Sequence, residues 1–396
     1  MNGNDIVIVS ATRTAIGKFG GQFATTSAIE LGTTVAKAAI QKANLSPEQI
    51  DTVIFGNVLQ AGLGQNPARQ VGLGAGLNHA STAVTVNEVC GSGLKAIISA
   101  AQAIRLGDAK IVLAGGMENM SLAPHLLQQR FAPKNGPVTL VDSLFNDGLT
   151  DAYSQDAMGI TAENIVEKYG FTREEQDAFA VASQQKAAKA QAEGRFASEI
   201  TPVAVFNRKT KSDDLKVTDE FIRPNSTVET LAGLKPSFKK DGTVTAGNAS
   251  GINDGAACVI MTTREYATEL GLPILATLKG YAEAGVDPSI MGIGPVPAIQ
   301  KLVARTRIPL EKVDVFELNE AFAAQSMAVI KDLKIPTEKV NPFGGAIALG
   351  HPIGASGTRI VVTLINALDQ LDGKIGVASL CVGGGMGVAI AIEREK

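Results

Sequence analysis

The chain has 396 residues, of which 45% are hydrophobic and 19% charged, with 42 glycines and a net charge of −3. This length exceeds what one hydrophobic core normally serves, so we expect two or three domains of α/β type, joined by many strand-to-helix turns. The slightly negative charge argues against broad binding to nucleic acid or membranes, although it leaves room for a local basic groove that holds a phosphorylated ligand.

The N-terminal segment, MNGNDIVIVSATRTAIGKFGG, enters an apolar strand without the basic and apolar regions of a secretory signal. No uncharged apolar run reaches the length of a transmembrane helix. The three cysteines lie far apart and form neither a disulfide framework nor the paired spacing of a zinc site. We therefore expect a cytoplasmic protein with no metal site.

A helix is predicted directly after Cys90 in the segment VNEVCGSG. Apolar residues repeat at helical spacing from Leu94 to Ile104, and Gly107 ends the run. A cysteine at a helix N-terminus has its thiolate stabilised by unpaired N–H groups and the helix dipole. A buried structural cysteine is the alternative interpretation. The flanking glycines favour a reactive turn, because a packed core position does not need two of them.

The stretch from Leu122 to Gly251 differs in character and is predicted to be an inserted loop domain. A helix is expected over Thr172–Gly194, since it opens with a threonine cap and an acidic first turn. The following residues, NRKTKSDDLKVTDEFIRPNS, are polar with weak periodicity. This region either forms a solvated surface or covers a ligand, and the sequence alone does not decide between the two.

An internal repeat organises the chain. The segment SGLKAIISAAQAIRLGDAKIVLAGG resembles SGTRIVVTLINALDQLDGKIGVASL, and Gly93 precedes Lys110 by the same 17 residues that separate Gly357 from Lys374. We therefore expect a helix and a following strand of matched length in each half.

The second copy carries extra residues just before this helix. Asn87 precedes Gly93 by 6 residues, whereas Asn341 precedes Gly357 by 16, and His351 lies in the ten additional residues. If the equivalent turns of the two halves face one another, this histidine is brought to Cys90.

The chain resembles the thiolase family and, within it, the acetoacetyl-CoA thiolases (acetyl-CoA acetyltransferases). The resemblance runs over essentially the whole length and rests on these segments: VSATRTAIGKFGG, VNEVCGSG, AGGMENMS, DGLTDAY, MGITAEN, TVTAGNASGINDGAA, NEAFAAQ, GGAIALGHPIGASGTR and CVGGGMG. It implies an α/β thiolase-like fold, with two duplicated βαβ-rich halves in a five-layered α/β/α/β/α arrangement and an inserted loop domain.

The resemblance also implies domain limits. The N-terminal half is expected to span residues 1–121, completed by 252–273. The loop domain, which is expected to bind coenzyme A, spans 122–251, and the C-terminal half spans 274–396.

Catalytic roles follow from the same resemblance. Cys90 matches the nucleophile that carries the acyl group, and His351 matches the base that takes its proton. Cys381 matches the second cysteine, an acid and base for which a pKa near neutrality is expected. Asn319 matches the residue that positions a water for an oxyanion hole, although it also suits a cap of the next helix. Gly383 is expected to complete a second hole with the Cys90 N–H.

Coenzyme A contacts are implied with less specificity. Ser250 is expected to bond the pantetheine and Arg223 to approach the adenosine, although a plain surface arginine is the alternative for the latter. The tunnel is expected to be lined by Leu149, Met158, Phe238, Ala246, Met291 and Phe322. Ala157 departs from the family, where histidine is frequent, and this removes one expected pantetheine contact.

The activity implied is condensation of two acetyl-CoA molecules to acetoacetyl-CoA and CoA, and the reverse thiolysis, with no permanently bound cofactor and a homotetrameric assembly. A broader-chain β-ketoacyl-CoA thiolase of fatty-acid degradation is the alternative, but Gly91 agrees with the biosynthetic group. A decarboxylating ketoacyl synthase requires histidine or asparagine where this chain has Cys381. A non-catalytic CoA-binding protein is disfavoured by the joint presence of four residues that match catalytic positions: Cys90, His351, Asn319 and Cys381.

Overall fold

A computed structural model describes residues 3–131 and 135–395. Residues 1–2 and 396, at the ends of the expected halves, lie outside the described residues. Across the described ranges, none of the helices combines the length and apolarity needed to span a bilayer.

The N-terminal half alternates strands and helices. Its elements are β1 Ile6–Arg13, β2 Gly17–Lys18, α1 Ala28–Lys42, β3 Thr52–Gly56, α2 Pro67–Gly74, β4 Thr82–Val86, α3 Ser92–Leu106 and β5 Val112–Asn119. Helix α1 begins where Ser27 and Glu30 form a capping box, and it buries one apolar face. Helix α3 ends at Gly107, whose φ of 80° permits the left-handed C-terminal turn.

The inserted segment is a mixture of short elements and two longer helices. These are β6 His125–Leu126, β7 Val141–Asp142, a π turn at Phe145–Leu149, α4 Met158–Tyr169, α5 Arg173–Ala192, β8 Val203–Asn207, β9 Ser212–Lys216 and α6 Val228–Ala232. The predicted helix is confirmed as α5, which starts at a Thr172 capping box. The hairpin β8–β9 follows, and its second strand lies in the polar stretch, whose weak periodicity did not predict it.

The remaining elements begin with β10 Asn253–Thr263, which lies between β1 and β5, and α7 Arg264–Glu269. The C-terminal half then comprises β11 Ala276–Gly285, α8 Pro295–Thr306, β12 Val315–Leu318, α9 Ala323–Leu333, α10 Ala346–Leu349, α11 Ile353–Gln370, β13 Ile375–Val382 and β14 Met386–Arg394.

The strand order shows the duplication. In the N-terminal half it is β4-β3-β5-β10-β1, and in the C-terminal half β12-β13-β14-β11, with a parallel bridge from Val340 to Phe316 in the place of β4. The parallel pair β3–β5 of the N-terminal half corresponds to the parallel pair β12–β13 of the C-terminal half. The antiparallel pairs β5–β10 and β10–β1 correspond to β13–β14 and β14–β11. The two sheets join where β1 pairs with β11.

Equivalent aspartates bind equivalent backbone groups in the two halves. Asp51 Oδ2 accepts hydrogen bonds from the N–H groups of Lys110 and Ile111, at 2.7 and 2.9 Å. Asp314 Oδ2 does the same for Lys374 and its neighbour, at 2.8 and 2.9 Å. Lys110 and Lys374 therefore occupy equivalent positions in the two halves, as the repeat predicts.

The layers follow from which helices cover which sheet face. Helices α3 and α11 contact each other and lie between the two sheets, where their apolar faces form the central core. Helices α1 and α2 cover the outer face of one sheet, and α8 and α9 that of the other. The five-layered α/β/α/β/α arrangement is thus confirmed.

The central helices cross at the two glycines that anchor the repeat. A Cβ on Gly93 would lie 2.7 Å from the backbone nitrogen of Thr358, and one on Gly357 would lie 2.2 Å from that of Leu94. The Thr358 hydroxyl donates to the Gly93 carbonyl at 2.9 Å. Because the N-terminal ends of both helices are near this crossing, the turns that precede them converge.

Helix α5 is more than a solvated surface. Ser183 Oγ donates to Glu320 Oε2 at 2.6 Å, and Gln184 Nε2 donates to the carbonyl of Ile347 at 3.1 Å, so one face of the helix packs on the C-terminal half. The inserted segment is therefore held against the loops that surround His351.

Candidate active site

A cavity of about 530 Å³ opens where the two halves meet the inserted segment. Its wall is mostly apolar, as in most small-molecule sites. All eight residues expected to contact coenzyme A line it: Leu149, Met158, Arg223, Phe238, Ala246, Ser250, Met291 and Phe322. Cys90, His351 and Gly383 line it as well. Segments far apart in the sequence are thus brought to one place.

Cys90 lies in a tight turn just before α3. Its predecessor Val89 has a φ of 46°, which is costly for a β-branched residue. Ser92 fixes the turn, because its hydroxyl accepts from the Glu88 N–H at 2.8 Å and donates to the Val89 carbonyl at 2.6 Å. The thiol is half-buried and faces the cavity.

The Cys90 thiol is protonated at rest. Burial raises its pKa to about 11, whereas the N–H groups of Gly383 and of Cys90 itself act to lower it, and Glu118 raises it further. The N–H groups at the helix N-terminus favour the thiolate, as expected, but the loss of solvation outweighs them in the resting pocket. The same two N–H groups face the sulfur, as expected for a pair of oxyanion donors.

His351 is buried between α10 and α11 and is held at both its backbone and its ring. Its N–H donates to Asn253 Oδ1 at 2.9 Å. Its Nδ1 lies 2.6 Å from Ser356 Oγ, and that hydroxyl donates to the Pro352 carbonyl at 2.9 Å. Since the hydroxyl has only one proton, it must accept from Nδ1–H. Nε2 therefore keeps its lone pair.

The imidazole is neutral. Burial, with a smaller contribution from Arg359, lowers the pKa of His351 to about 3. A neutral ring with a free Nε2 can accept a proton from a thiol in the cavity.

Asn319 lies behind the histidine and does not itself line the cavity. Its Nδ2 is 3.4 Å from both ring nitrogens of His351, and its buried Oδ1 has no partner among the described residues. The alternative role as a helix cap is wrong, because the cap position of α9 is Phe322 and no side chain caps it.

Cys381 is fully buried near the end of β13, next to the turn of Gly384 and Gly385. Burial raises the pKa of its thiol, and the nearby Cys90 raises it further. The expected near-neutral pKa is therefore wrong. The Cys90 thiol is near enough to raise the pKa of Cys381, but of the two only Cys90 lines the cavity, and Cys381 is fully buried.

Arg223 lies at the outer end of the site. Its guanidinium is 4.8 Å from the centre of the Phe221 ring, and its backbone N–H donates to Gln184 Oε1. It also borders a second cavity of about 360 Å³, which Ser226 and Leu234 help to line. Arg223 is exposed and borders both cavities.

Two aromatic side chains that line the cavity, Phe238 and Phe322, contact each other. The rings of Phe238 and Phe322 pack edge to face, with their centres 6.2 Å apart. Ala157, where the loss of one pantetheine contact was expected, also lines the cavity and precedes α4 without a capping side chain.

Several residues around the site were not singled out from the sequence. Ser356 and Asn253 hold His351, and Lys18 lines the mouth. Ser356 alone had a signal, because it occupies the position in GASG that Ser92 occupies in the first copy.

Comparison with known proteins agrees with these features. The family models for the thiolase N-terminal and C-terminal domains match residues 6–265 and 272–394. The acetyl-CoA acetyltransferase of Cupriavidus necator is 56% identical over 99% of this chain and 100% of its own length. A probable acetyl-CoA acyltransferase of Staphylococcus aureus is 55% identical over 99% of both chains.

Two solved structures have the same fold. The Bacillus anthracis acetyl-CoA acetyltransferase has a TM-score of 0.96 at 44% identity, covering 99% of both chains. Human mitochondrial 3-ketoacyl-CoA thiolase has a TM-score of 0.95 at 42% identity, covering 100% of both. On the match of both domains and on these relatives, the chain belongs to the thiolase family.

Proposed function

We propose that this thiolase is an acetyl-CoA C-acetyltransferase, which condenses two acetyl-CoA molecules to acetoacetyl-CoA and CoA and catalyses the reverse thiolysis. The observation that carries the proposal is that the Cys90 thiol and the neutral imidazole of His351 both line an apolar cavity, with the buried Cys381 thiol near enough to Cys90 to interact with it electrostatically. Relatives that are 55% and 56% identical over nearly their whole length carry the names acetyl-CoA acetyltransferase and probable acetyl-CoA acyltransferase. No permanently bound cofactor is needed for this chemistry.

In the first half-reaction, His351 Nε2 takes the proton of Cys90, and the sulfur attacks the thioester carbonyl of acetyl-CoA. The N–H groups of Cys90 and Gly383 hold the developing oxyanion, for which each fixed donor contributes about 3 to 4 kcal/mol. The bond to the CoA sulfur then breaks, and the leaving thiolate takes the proton of Cys381. This step leaves acetyl on Cys90, an imidazolium and a Cys381 thiolate.

In the second half-reaction, the Cys381 thiolate removes a proton from the methyl group of a second acetyl-CoA. Burial makes this thiolate a strong base, which suits a weakly acidic carbon. His351, together with a water positioned by Asn319, holds the enolate oxygen. The carbanion attacks the acetyl group, and the departing Cys90 sulfur recovers its proton from the imidazolium.

Coenzyme A is proposed to lie with its pantetheine beside Ser250 and its nucleotide near Arg223. The remaining cavity residues form the tunnel, and the inserted segment 122–251 acts as its cover. Under this proposal the chemistry belongs to the two halves, 1–121 with 252–273 and 274–396.

The similarity to human 3-ketoacyl-CoA thiolase supports a broader-chain thiolase as the second candidate. Equal turnover of acetoacetyl-CoA and a long β-ketoacyl-CoA would favour that candidate.

The first experiment measures CoA-dependent loss of acetoacetyl-CoA absorbance in the wild type, Cys90→Ala and Cys381→Ala, while mass spectrometry detects acetyl on Cys90. Cys258→Ala is the matched control, because this third thiol is buried elsewhere and donates to the Val35 carbonyl. Activity in the wild type and control, with a Cys381 variant that acetylates but does not condense, supports the mechanism. A wild type that neither cleaves nor acetylates would refute it.

A homotetramer is proposed as the assembly. It is supported by β4, which ends one sheet and exposes Val84, because an open sheet edge can pair with another chain. Light scattering coupled to gel filtration would test the mass, and a monomer would contradict the proposal.

A further inference from the structure

Glu118 is a buried carboxylate beside the active site for which the proposed mechanism has no use. It lies next to the end of β5 and is fully buried. Oε1 accepts from Asn57 Nδ2 at 2.8 Å and from the Leu59 N–H at 3.1 Å. Oε2 accepts from the N–H groups of Val58 and Gly354, at 3.0 and 2.9 Å.

These four donors come from both halves of the chain. The segment 57–59 follows β3 in the N-terminal half, whereas Gly354 lies in the first turn of α11, three residues after His351. Backbone packing is equally close, since a Cβ on Gly116 would lie 2.1 Å from the Gly354 carbonyl oxygen. The carboxylate therefore joins the histidine-bearing turn to the opposite half.

The joined segment forms the wall behind the nucleophile. Val58, Leu59, Met120 and Ile353 pack in one apolar cluster, and Cys90 contacts this cluster. A shift of segment 57–59 relative to α11 would change the separation between the thiol and the imidazole.

We infer that Glu118 is a positioning residue, whose carboxylate fixes the start of α11 against the wall of the Cys90 pocket and so sets the geometry between nucleophile and base. The inference rests on the proposed function. It adds a residue that touches neither the substrate nor the reacting atoms.

The charge of Glu118 provides a readout that packing alone does not. Burial raises its pKa to about 7, against the N–H groups that favour the charged form, and Asp254 adds to the rise. All four partners donate, so the ionised form is the one they suit. Burial is the main cause of the raised pKa of Cys90, and the negative charge of Glu118 raises that pKa further. Removing the charge should therefore make Cys90 more acidic.

The test compares Glu118→Gln, which keeps the shape and removes the charge, with Glu118→Asp, which keeps the charge and shortens the reach. Glu163→Gln is the matched control, because Glu163 is a buried carboxylate that accepts from the N–H groups of Thr243 and Val244 in the inserted segment. Steady-state thiolysis, the rate of acetyl transfer to Cys90 and Cys90 alkylation by iodoacetamide between pH 8 and 9.5 are measured.

We expect both Glu118 variants to lose about 10- to 100-fold in kcat and in acetylation rate, with KM nearly unchanged. Glu118→Gln alone should alkylate faster than the wild type at each pH. The control should keep the wild-type kcat and alkylation rate even if it melts earlier. Glu118 variants with wild-type kcat, or a Glu118→Gln alkylation rate equal to that of the control, would overturn the inference. If Glu118→Gln does not fold, a wild-type kcat in Glu118→Asp overturns it by itself.

Alkylation separates this inference from the proposed function, because it needs no turnover. A wild type without thiolase activity would refute the function, while the alkylation comparison would still report whether Glu118 acts on Cys90.

Discussion

Ser356 Oγ lies 2.6 Å from His351 Nδ1 and gives its only proton to the Pro352 carbonyl. The serine thereby selects the tautomer of the histidine. Ser356 lies in the first turn of α11, and His351 lies just before this helix. A base whose proton is fixed on Nδ1 presents only Nε2 to the thiol.

Ser356→Ala should lower kcat by about 10- to 100-fold, because the ring loses the partner that fixes its tautomer and orientation. KM for acetoacetyl-CoA should change little, since no contact to the substrate is removed. Ser81→Ala is the control, because Ser81 is buried and donates to the Ile50 carbonyl far from the site. Equal losses in kcat for the two variants would contradict the assigned role.

The buried histidine should make stability depend on pH. Folding lowers the pKa of His351 from 6.5 to about 3, mainly through burial. Between these values the unfolded chain binds a proton that the folded chain does not, so the free energy of unfolding falls as the pH drops below about 6.5. The raised pKa values of Asp254, Glu118 and Glu317 act in the opposite direction over an overlapping range.

Comparison of variants isolates the histidine. The melting temperature of His351→Gln should fall less steeply from pH 6.5 to pH 4.5 than that of the wild type. His79→Gln, at an exposed turn, is the control for the loss of one imidazole. Parallel curves for all three proteins would show that His351 is not held neutral.

The helix crossing should not tolerate a methyl group. Gly93→Ala and Gly357→Ala place a Cβ within 2.7 and 2.2 Å of backbone nitrogen atoms, so each should lower the free energy of unfolding by about 1 to 3 kcal/mol. Gly233→Ala is the control, since its φ is −73° and the nearest atom to a Cβ is 3.8 Å away. Denaturant unfolding measures all three, and a neutral Gly357→Ala would contradict the close crossing.

Arg223 should matter only for substrates that carry the nucleotide. Arg223→Gln is expected to raise KM for acetoacetyl-CoA and to leave KM for acetoacetyl-pantetheine unchanged, because in the proposed placement of coenzyme A only the nucleotide comes near Arg223. Arg208→Gln, in the exposed turn between β8 and β9, should change neither value. An equal rise in KM for both substrates would show that Arg223 does not act on the nucleotide, and would contradict the prediction.

The repeat made much of the fold predictable. Matched spacing identified α3 and α11 as equivalents, and the extra residues of the second copy were expected to bring His351 to Cys90. Such features are encoded locally, in apolar periodicity and in the glycines at the crossing. The hairpin β8–β9 was missed because its second strand, Ser212–Lys216, is polar and mostly exposed and gives little periodic signal.

The properties that depend on burial were not predictable. A cysteine before a helix suggests a stabilised thiolate, yet Cys90 and Cys381 both have raised pKa values, because residues from distant segments exclude water from them. Glu118 was missed for a related reason. A single glutamate in a strand gives no sign that its four partners lie in two other segments.

The seam between the two sheets divides the reactive groups unequally. Cys90 belongs to the N-terminal half, whereas Asn319, His351 and Cys381 all belong to the C-terminal half. Under the proposed mechanism, neither half holds both the nucleophile and its base, so the rate of acyl transfer depends directly on how the two halves pack together. A mutation far from the cavity that loosens the seam would silence the enzyme while every reactive side chain remained intact.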